Sequence, residues 1–254
     1  MRVCEEFVSI QGEGKYSGTP SFFIRTVGCN LRCSWHNPDG SVTTCDTAYT
    51  SFNTKDTKSW EFNVNEFHRE FLDRYPKINH IVITGGEPSL QVDLAEVILL
   101  LEIARPGMIY TIETNGTSVC EFEKLLGYVA HGMTTFKPHQ LFLSISPKLA
   151  SSNVLGNEMH AYNNHWQFIP LLEKLPDYQI KFVVSEALDG SKVMGAMDVI
   201  GVGDHPERVY LMPQGIDPEV ITKNAQYCVQ IALHQGYTVT DRMHIRFFGN
   251  RREV

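Results

Sequence analysis

Between His80 and Gly236 the chain repeatedly alternates a short apolar run with a longer segment of helical spacing, and this alternation constrains the fold more than any other feature. The runs His80 to Thr84, Met108 to Glu113, Leu141 to Ser146, Gln179 to Val184 and Arg208 to Met212 predict strands. Between them, Asp93 to Ala104 places Leu94, Val97, Ile98 and Leu101 on one helical face. Further helices are predicted near Glu121 to Ala130, Asn164 to Leu175 and Ser191 to Val199. Asp217-Pro218 offers an N-cap with proline at the first helical position, and Gly236 a stop. Apolar strands separated by helices predict a parallel sheet with crossover helices. Ahead of this series, Val3 to Ile10 and Ser21 to Thr26 predict strands joined by QGEGKYSG, and Asn65 to Tyr75 a helix burying Phe67, Phe71 and Leu72.

In such folds the loops at the C-terminal ends of the strands carry the site. Gly85-Gly86-Glu87-Pro88, Thr114-Asn115-Gly116, Pro147-Lys148 and Pro213-Gln214-Gly215 fall at four of these ends, which predicts one polar rim. A net charge of −7 with no long Lys/Arg run argues against direct binding of nucleic acid. The run around Val97 to Ile103 is broken by acidic residues and far too short to span a bilayer, and MRVCEEF carries no secretory pattern. A cytoplasmic protein without membrane contact is therefore expected. No linker or charge shift divides residues 1–254, so one domain is predicted.

Cys29, Cys33 and Cys45 are spaced C-x3-C-x11-C, and in a reducing compartment clustered cysteines more often bind metal or do chemistry than form disulfides. Thiolates suit zinc or iron–sulfur. The residues alone leave two readings open: a structural zinc site with His36 as fourth ligand, and a three-thiolate site whose open position means chemistry. Cys228 shares a helical face with Ile221, Ala225 and Ala232 and is expected in the core, and Cys4 and Cys120 are expected to be structural as well.

The cysteine loop, followed about forty residues later by Thr84-Gly85-Gly86-Glu87-Pro88, resembles the radical S-adenosylmethionine enzymes. More narrowly, the ordered set SIQGEG, FIRTVGCNLRC, CDT, TGGEP, ETNGT, SPK, KFVV and HIRFFGNRREV is similar to the 7-carboxy-7-deazaguanine synthase family across nearly the whole chain. The resemblance implies an incomplete TIM-like (βα)6 barrel in which residues 1–50 carry the cluster and substrate contacts and a tail from about 237 to 254 adds more. It implies a [4Fe–4S] cluster on Cys29, Cys33 and Cys45. S-adenosylmethionine would be held by Gly86 and Glu87, by Glu113, by Ser146, Pro147 and Lys148, and by Met212 and Gln214, with Glu87 accepting from the ammonium. The pterin 6-carboxy-5,6,7,8-tetrahydropterin would be held by Gln11, Gly12, Glu13, Arg25, Thr84 and His244, and Mg2+ by Thr47.

The implied reaction contracts the pterin ring to 7-carboxy-7-deazaguanine with loss of ammonia, in 7-deazapurine biosynthesis of the queuosine type. A homodimer and a flavodoxin or ferredoxin as electron donor belong to the same expectation. The chemistry of the residues agrees: Glu13 can accept from a guanidine-like edge, and Arg25, inside an apolar strand, requires a partner. An activase for glycyl-radical enzymes and a zinc-stabilised binding module are the alternatives. Two departures stand out. The superfamily spacing is C-x3-C-x2-C, so His36 to Thr44 reads as a nine-residue insertion, and the tail has Phe248 and Glu253 where the family usually has tryptophan and glycine. Lengthening a loop costs only about 0.6 kcal/mol per doubling, which leaves the ligand assignment intact.

Overall fold

In the computed structural model, which describes residues 1–36, 40–51, 54–152, 169–200 and 205–253, the alternation becomes one nine-stranded sheet. Strands β1 (Arg2–Ile10) and β2 (Pro20–Thr26) open the chain, and β3 (Ser34–His36) and β4 (Val42–Thr44) form a small separate hairpin. After α1 (Ala48–Ser51), β5 (Trp60–Glu61) and α2 (Val64–Phe67), the repeat begins with β6 (His80–Gly85), α3 (Leu94–Ala104), β7 (Ile109–Thr114) and α4 (Cys120–Ala130). It continues through β8 (Leu141–Ile145), α5 (Ile169–Leu172), β9 (Tyr178–Val184), α6 (Asp189–Ile200), β10 (Val209–Pro213) and α7 (Pro218–Gln235). Strand β11 (Thr238–Val239) and α8 (Met243–Phe248) complete it.

The strand order is β5-β1-β2-β6-β7-β8-β9-β10-β11, with β1 antiparallel to both neighbours and every pair from β2 onward parallel. The strands β2 and β6 to β10 thus give the six-stranded parallel core of an incomplete TIM-like barrel, open between β5 and β11 among the described residues. Successive side chains on a strand point to opposite faces, and here the division is chemical. Ile81 and Ile83, Tyr110 and Ile112, and Ile180 and Phe182 join the core with Leu94, Ile98 and Leu101 of α3. Each such large apolar side chain, fully buried, contributes about 1.5–3 kcal/mol. The other parity carries His80 and Thr84 on β6, Thr111 and Glu113 on β7, Ser144 on β8, and Gln179 and Lys181 on β9, a polar interior face. At its lower end Tyr16 packs against His80 and Phe142, with ring centroids 4.8 and 4.9 Å away.

Several expectations are adjusted. The predicted helix over Asn65 to Tyr75 is α2 continued by a wider π turn at His68–Leu72, capped by the Asn63 side chain. The cysteine segment contains the β3–β4 hairpin and is not all loop. Of the predicted helix Asn164 to Leu175, residues 164–168 lie outside the described residues. Cys228 and Cys4 are buried as expected, whereas Cys120 is exposed, because it stands on the first turn of α4 away from the packed face of Phe122 and Leu125. Among the described residues no helix is long and apolar enough to cross a membrane.

Candidate active site

The polar parity of the strands and the loops at their C-terminal ends meet in one cavity. Arg25, Thr84, Glu113, Ser144, Lys181 and Met212 reach it from six successive parallel strands, and the predicted rim adds Gly86, Asn115, Ser146, Lys148 and Gln214. Gln11, Gly12 and Glu13 enter from the loop after β1, and His244 from α8. All four strand-end loops singled out in the sequence therefore contribute to one site.

Cys29, Cys33 and Cys45 line the same cavity, all three as free thiols. The insertion between the last two is resolved by the hairpin: Ser34 pairs with Thr44 and His36 with Val42, and the Cys45 N–H donates to the Cys33 carbonyl at 3.0 Å. A hairpin that leaves and returns at one point keeps its flanking cysteines adjacent, as a two-residue spacing would. His36, at the far end of β3, is exposed and stands outside the cavity lining that holds the three cysteines. Among the described residues no three His, Cys, Asp or Glu side chains converge as a single metal ion requires. Thiolates are ligands suited to an iron–sulfur cluster, in which they bind separate irons. Burial pushes the Cys33 thiol up to about 11 and raises Cys29 and Cys45, the last also through Asp46, while Lys148 opposes the rise at all three. Three desolvated thiols free of disulfides, with the Lys148 ammonium lowering the pKa of each, are a donor set that fits an iron–sulfur cluster, since metal binding stabilises the thiolate form they need.

Two glycines allow loops to meet here. A Cβ on Gly86 would lie 2.0 Å from the Gly28 carbonyl oxygen, so the expected close approach at Gly86 is to the backbone ahead of Cys29. A Cβ on Gly12 would lie 2.1 Å from His244 Nδ1, and the Gly12 carbonyl accepts from the Met243 N–H at 2.9 Å, which docks the tail on the loop after β1.

Glu87 corrects the expectation of a carboxylate turned to a ligand's ammonium. It is fully buried and does not line the cavity. Its Oε1 accepts from the Ser89 N–H, the Ser89 hydroxyl and the Thr114 hydroxyl, and its Oε2 from the Asn115 N–H at 2.6 Å. Burial raises its pKa against these hydrogen bonds, and its work is to lock the ends of β6 and β7 together. Pro147 is likewise buried behind the wall, while its neighbours Ser146 and Lys148 face the cavity, Lys148 Nζ donating to Ser146 Oγ at 3.0 Å.

Two charge networks surround the cavity. Glu13 accepts from Lys181 Nζ at 2.5 Å and from Arg242 Nε at 3.1 Å, and Arg242 also donates to Asp46. Burial alone would raise the Glu13 pKa, but Lys181, Arg242 and His244 hold it well below the usual carboxylate range. Burial lowers the His244 pKa against the pull of Glu13, which favours a neutral imidazole. In the second network Arg25 Nε donates to Glu5 at 2.7 Å, the Tyr49 hydroxyl donates to the same carboxylate at 3.0 Å, and Arg252 joins it from the tail. Glu113 accepts from Gln11 at 3.0 Å and from Thr84 at 2.8 Å, so it organises residues of the expected pterin pocket in addition to facing the cavity. Thr47 Oγ1 lies 3.3 Å from Cys45 Sγ and 3.4 Å from the Gly85 carbonyl.

Sequence reasoning missed Glu5, Asp46, Lys181 and Arg242. Lys181 was accessible to the argument used for Arg25, a lone charge inside the apolar strand QIKFVV. Arg242, in a polar tail, carries no comparable signal.

Comparison with known proteins identifies the family and the fold. The family profile described as Radical SAM superfamily matches residues 23–187. A 7-carboxy-7-deazaguanine synthase of Rhodopirellula baltica is 34% identical over 98% of this chain and 87% of its own length. One from Halobacterium salinarum is 33% identical over 98% and 91%. In three dimensions the chain is similar to the crystal structure of QueE from Escherichia coli, at 23% identity and a TM-score of 0.61 over 96% of this chain and 94% of that one. Streptococcus suis SuiB bound to S-adenosylmethionine shares the fold over 85% of this chain and 48% of its own, at 12% identity and a TM-score of 0.54.

Proposed function

Because this chain belongs to the Radical SAM superfamily and, within it, to the 7-carboxy-7-deazaguanine synthase family, we propose that its cavity contracts the ring of 6-carboxy-5,6,7,8-tetrahydropterin to 7-carboxy-7-deazaguanine with release of ammonia. The product belongs to 7-deazapurine biosynthesis of the queuosine type. The observation that carries the reading is that three free thiols and a set of planar-ligand contacts, Glu13, Arg25, Thr84 and Gln11, line the same cavity.

Cys29, Cys33 and Cys45 would hold a [4Fe–4S] cluster, and Gly86, Ser146, Lys148, Met212 and Gln214 would hold S-adenosylmethionine. When bound, this pair supplies one-electron cleavage of a sulfonium and hence a carbon-centred radical. The chain's own residues select and orient the substrate. Glu13, kept ionised by Lys181 and Arg242, accepts from the guanidine-like edge of the pterin. Arg25 spends Nε on Glu5 and keeps its terminal nitrogens for the 6-carboxylate. Gln11 and Thr84, oriented by Glu113, and the neutral His244 complete the polar contacts. The Thr47 hydroxyl would be one ligand of Mg2+, which prefers hard oxygens and shares them with substrate and water.

In this reading residues 1–254 act as one domain, as a homodimer in the cytoplasm, with an external donor such as flavodoxin or ferredoxin supplying the electron. Anaerobic reconstitution tests it first. About four irons per chain with broad visible absorbance are expected, whereas a colourless protein that takes up zinc alone overturns the reading.

A further inference from the structure

Arg242 stands at the start of α8, 7% exposed, and its guanidinium is shared among three loops. Nε donates to Glu13 Oε1 at 3.1 Å, one terminal nitrogen to Asp46 Oδ2, and the other to the Gly215 carbonyl. Glu13 lies on the loop after β1, Asp46 directly follows Cys45, and Gly215 follows Gln214 at the end of β10. The turn that carries Asp46 is closed by the Ala48 N–H, which donates to the Cys45 carbonyl at 3.0 Å, and by the Thr50 N–H, which donates to the Thr47 carbonyl at 2.9 Å.

We propose that Arg242 is a positioning residue that couples pterin binding at Glu13 to retention of the cluster at Cys45, an inference that rests on the proposed function. A guanidinium presents its donors in a rigid planar fork, so an acceptor fixed at one edge constrains the acceptor at the other. A pterin edge on Glu13 fixes that carboxylate, the carboxylate fixes the fork, and the fork fixes Asp46 together with the Cys45 to Thr47 turn. Coupling between two binding equilibria is reciprocal: the pterin holds the cluster more firmly by the same factor that the cluster tightens the pterin.

The test times loss of visible absorbance when the reconstituted holoenzyme meets an iron chelator anaerobically, with and without 6-carboxy-5,6,7,8-tetrahydropterin at concentrations that saturate each variant. In the wild type the pterin should slow the loss by about fivefold or more, the low end of coupling between sites where that coupling is expressed in the rate at which the cluster leaves. In Arg242→Gln and in Asp46→Asn the saturating pterin should give almost no protection. Arg242→Lys keeps the charge without the fork and should fall between. Asp46→Asn removes one end of the bridge only, and circular dichroism confirms which variants are folded. Protection that persists undiminished in folded Asp46→Asn or Arg242→Gln means that the pterin merely shields the cluster, and overturns the coupling. Pterin that binds the wild type without slowing the loss does the same, leaving the functional reading in place. A wild type that does not bind the pterin brings down both.

Discussion

Arg25 Nε lies 2.7 Å from Glu5 Oε2, a pair joining neighbouring antiparallel strands in which the Glu5 side chain is wholly buried. The arginine expected to meet a substrate carboxylate is thus already half committed. Glu5 also accepts from Tyr49 and Arg252, so one carboxylate sets the position of two guanidinia and a phenol. Removing one partner from a buried pair strands the other, a loss of about 3–5 kcal/mol. Glu5→Ala should therefore lower thermal stability strongly. Arg25→Lys, which keeps the charge and loses the fork, should raise the KM for the carboxypterin by about tenfold or more with a smaller drop in melting temperature.

Glu13→Gln should separate the two ligands. Hydrogen bonds to a charged acceptor contribute about 1.5–3 kcal/mol each, so pterin affinity should fall by at least about tenfold. Binding of S-adenosylmethionine, measured by calorimetry on the reconstituted protein, should change little. Equal loss of both ligands would assign Glu13 a folding role through Lys181 and Arg242.

Acid should expose the buried His80. Burial lowers its pKa from 6.5 to about 4, with Ser21 and Thr111 hydroxyls at 2.7 Å from its two ring nitrogens. Between those values the unfolded chain binds a proton that the folded chain does not, so stability falls as pH drops from about 6.5 toward 4. The loss approaches about 1.4 kcal/mol per pH unit. Urea titrations of the wild type and His80→Gln across this window should show the slope reduced by about that amount in the variant. Glu13 adds a slope of the same sign further down, because its pairs stabilise fully above the ordinary 4.5 and are lost as pH falls through its depressed pKa.

Two glycine substitutions should differ in kind. Gly12→Ala meets the His244 ring and the tail that carries it, so the expected effect is weaker pterin binding with the cluster intact. Gly86→Ala meets the Gly28 backbone, which cannot rotate away, so β6 and the loop ahead of Cys29 must part. Iron content after reconstitution should fall in Gly86→Ala and hold in Gly12→Ala.

Much of this site was legible because a strand's two-residue period sorts side chains by chemistry. Once the strands were placed, their ends at Thr84, Glu113, Ser146 and Met212 had to converge. The three cysteines were legible as metal ligands by type and clustering, whereas the cluster and the His36 to Thr44 insertion were recognisable only through the family resemblance. Its form was not, because the Ser34–Thr44 and His36–Val42 pairs are fixed by cross-strand contacts that leave no period in three-residue strands. Glu87 misled for a related reason. A carboxylate at a strand end reads as a ligand contact, and only the three-dimensional meeting of β6 and β7 provides the donors at Ser89, Thr114 and Asn115 that claim it. Arg242 lies 229 positions from Glu13 and 196 from Asp46, separations at which sequence carries no local trace of pairing.

The most direct test of the account is product analysis with its own control. Wild-type protein and Cys45→Ala are reconstituted with iron and sulfide under anaerobic conditions. Both are then given a reductant, S-adenosylmethionine, Mg2+ and 6-carboxy-5,6,7,8-tetrahydropterin. The account predicts 7-carboxy-7-deazaguanine and released ammonia from the wild type, and neither product nor a stable cluster from Cys45→Ala. A wild type that carries a full cluster and binds both ligands yet leaves the pterin unchanged, or a Cys45→Ala protein that retains its full iron, would contradict it.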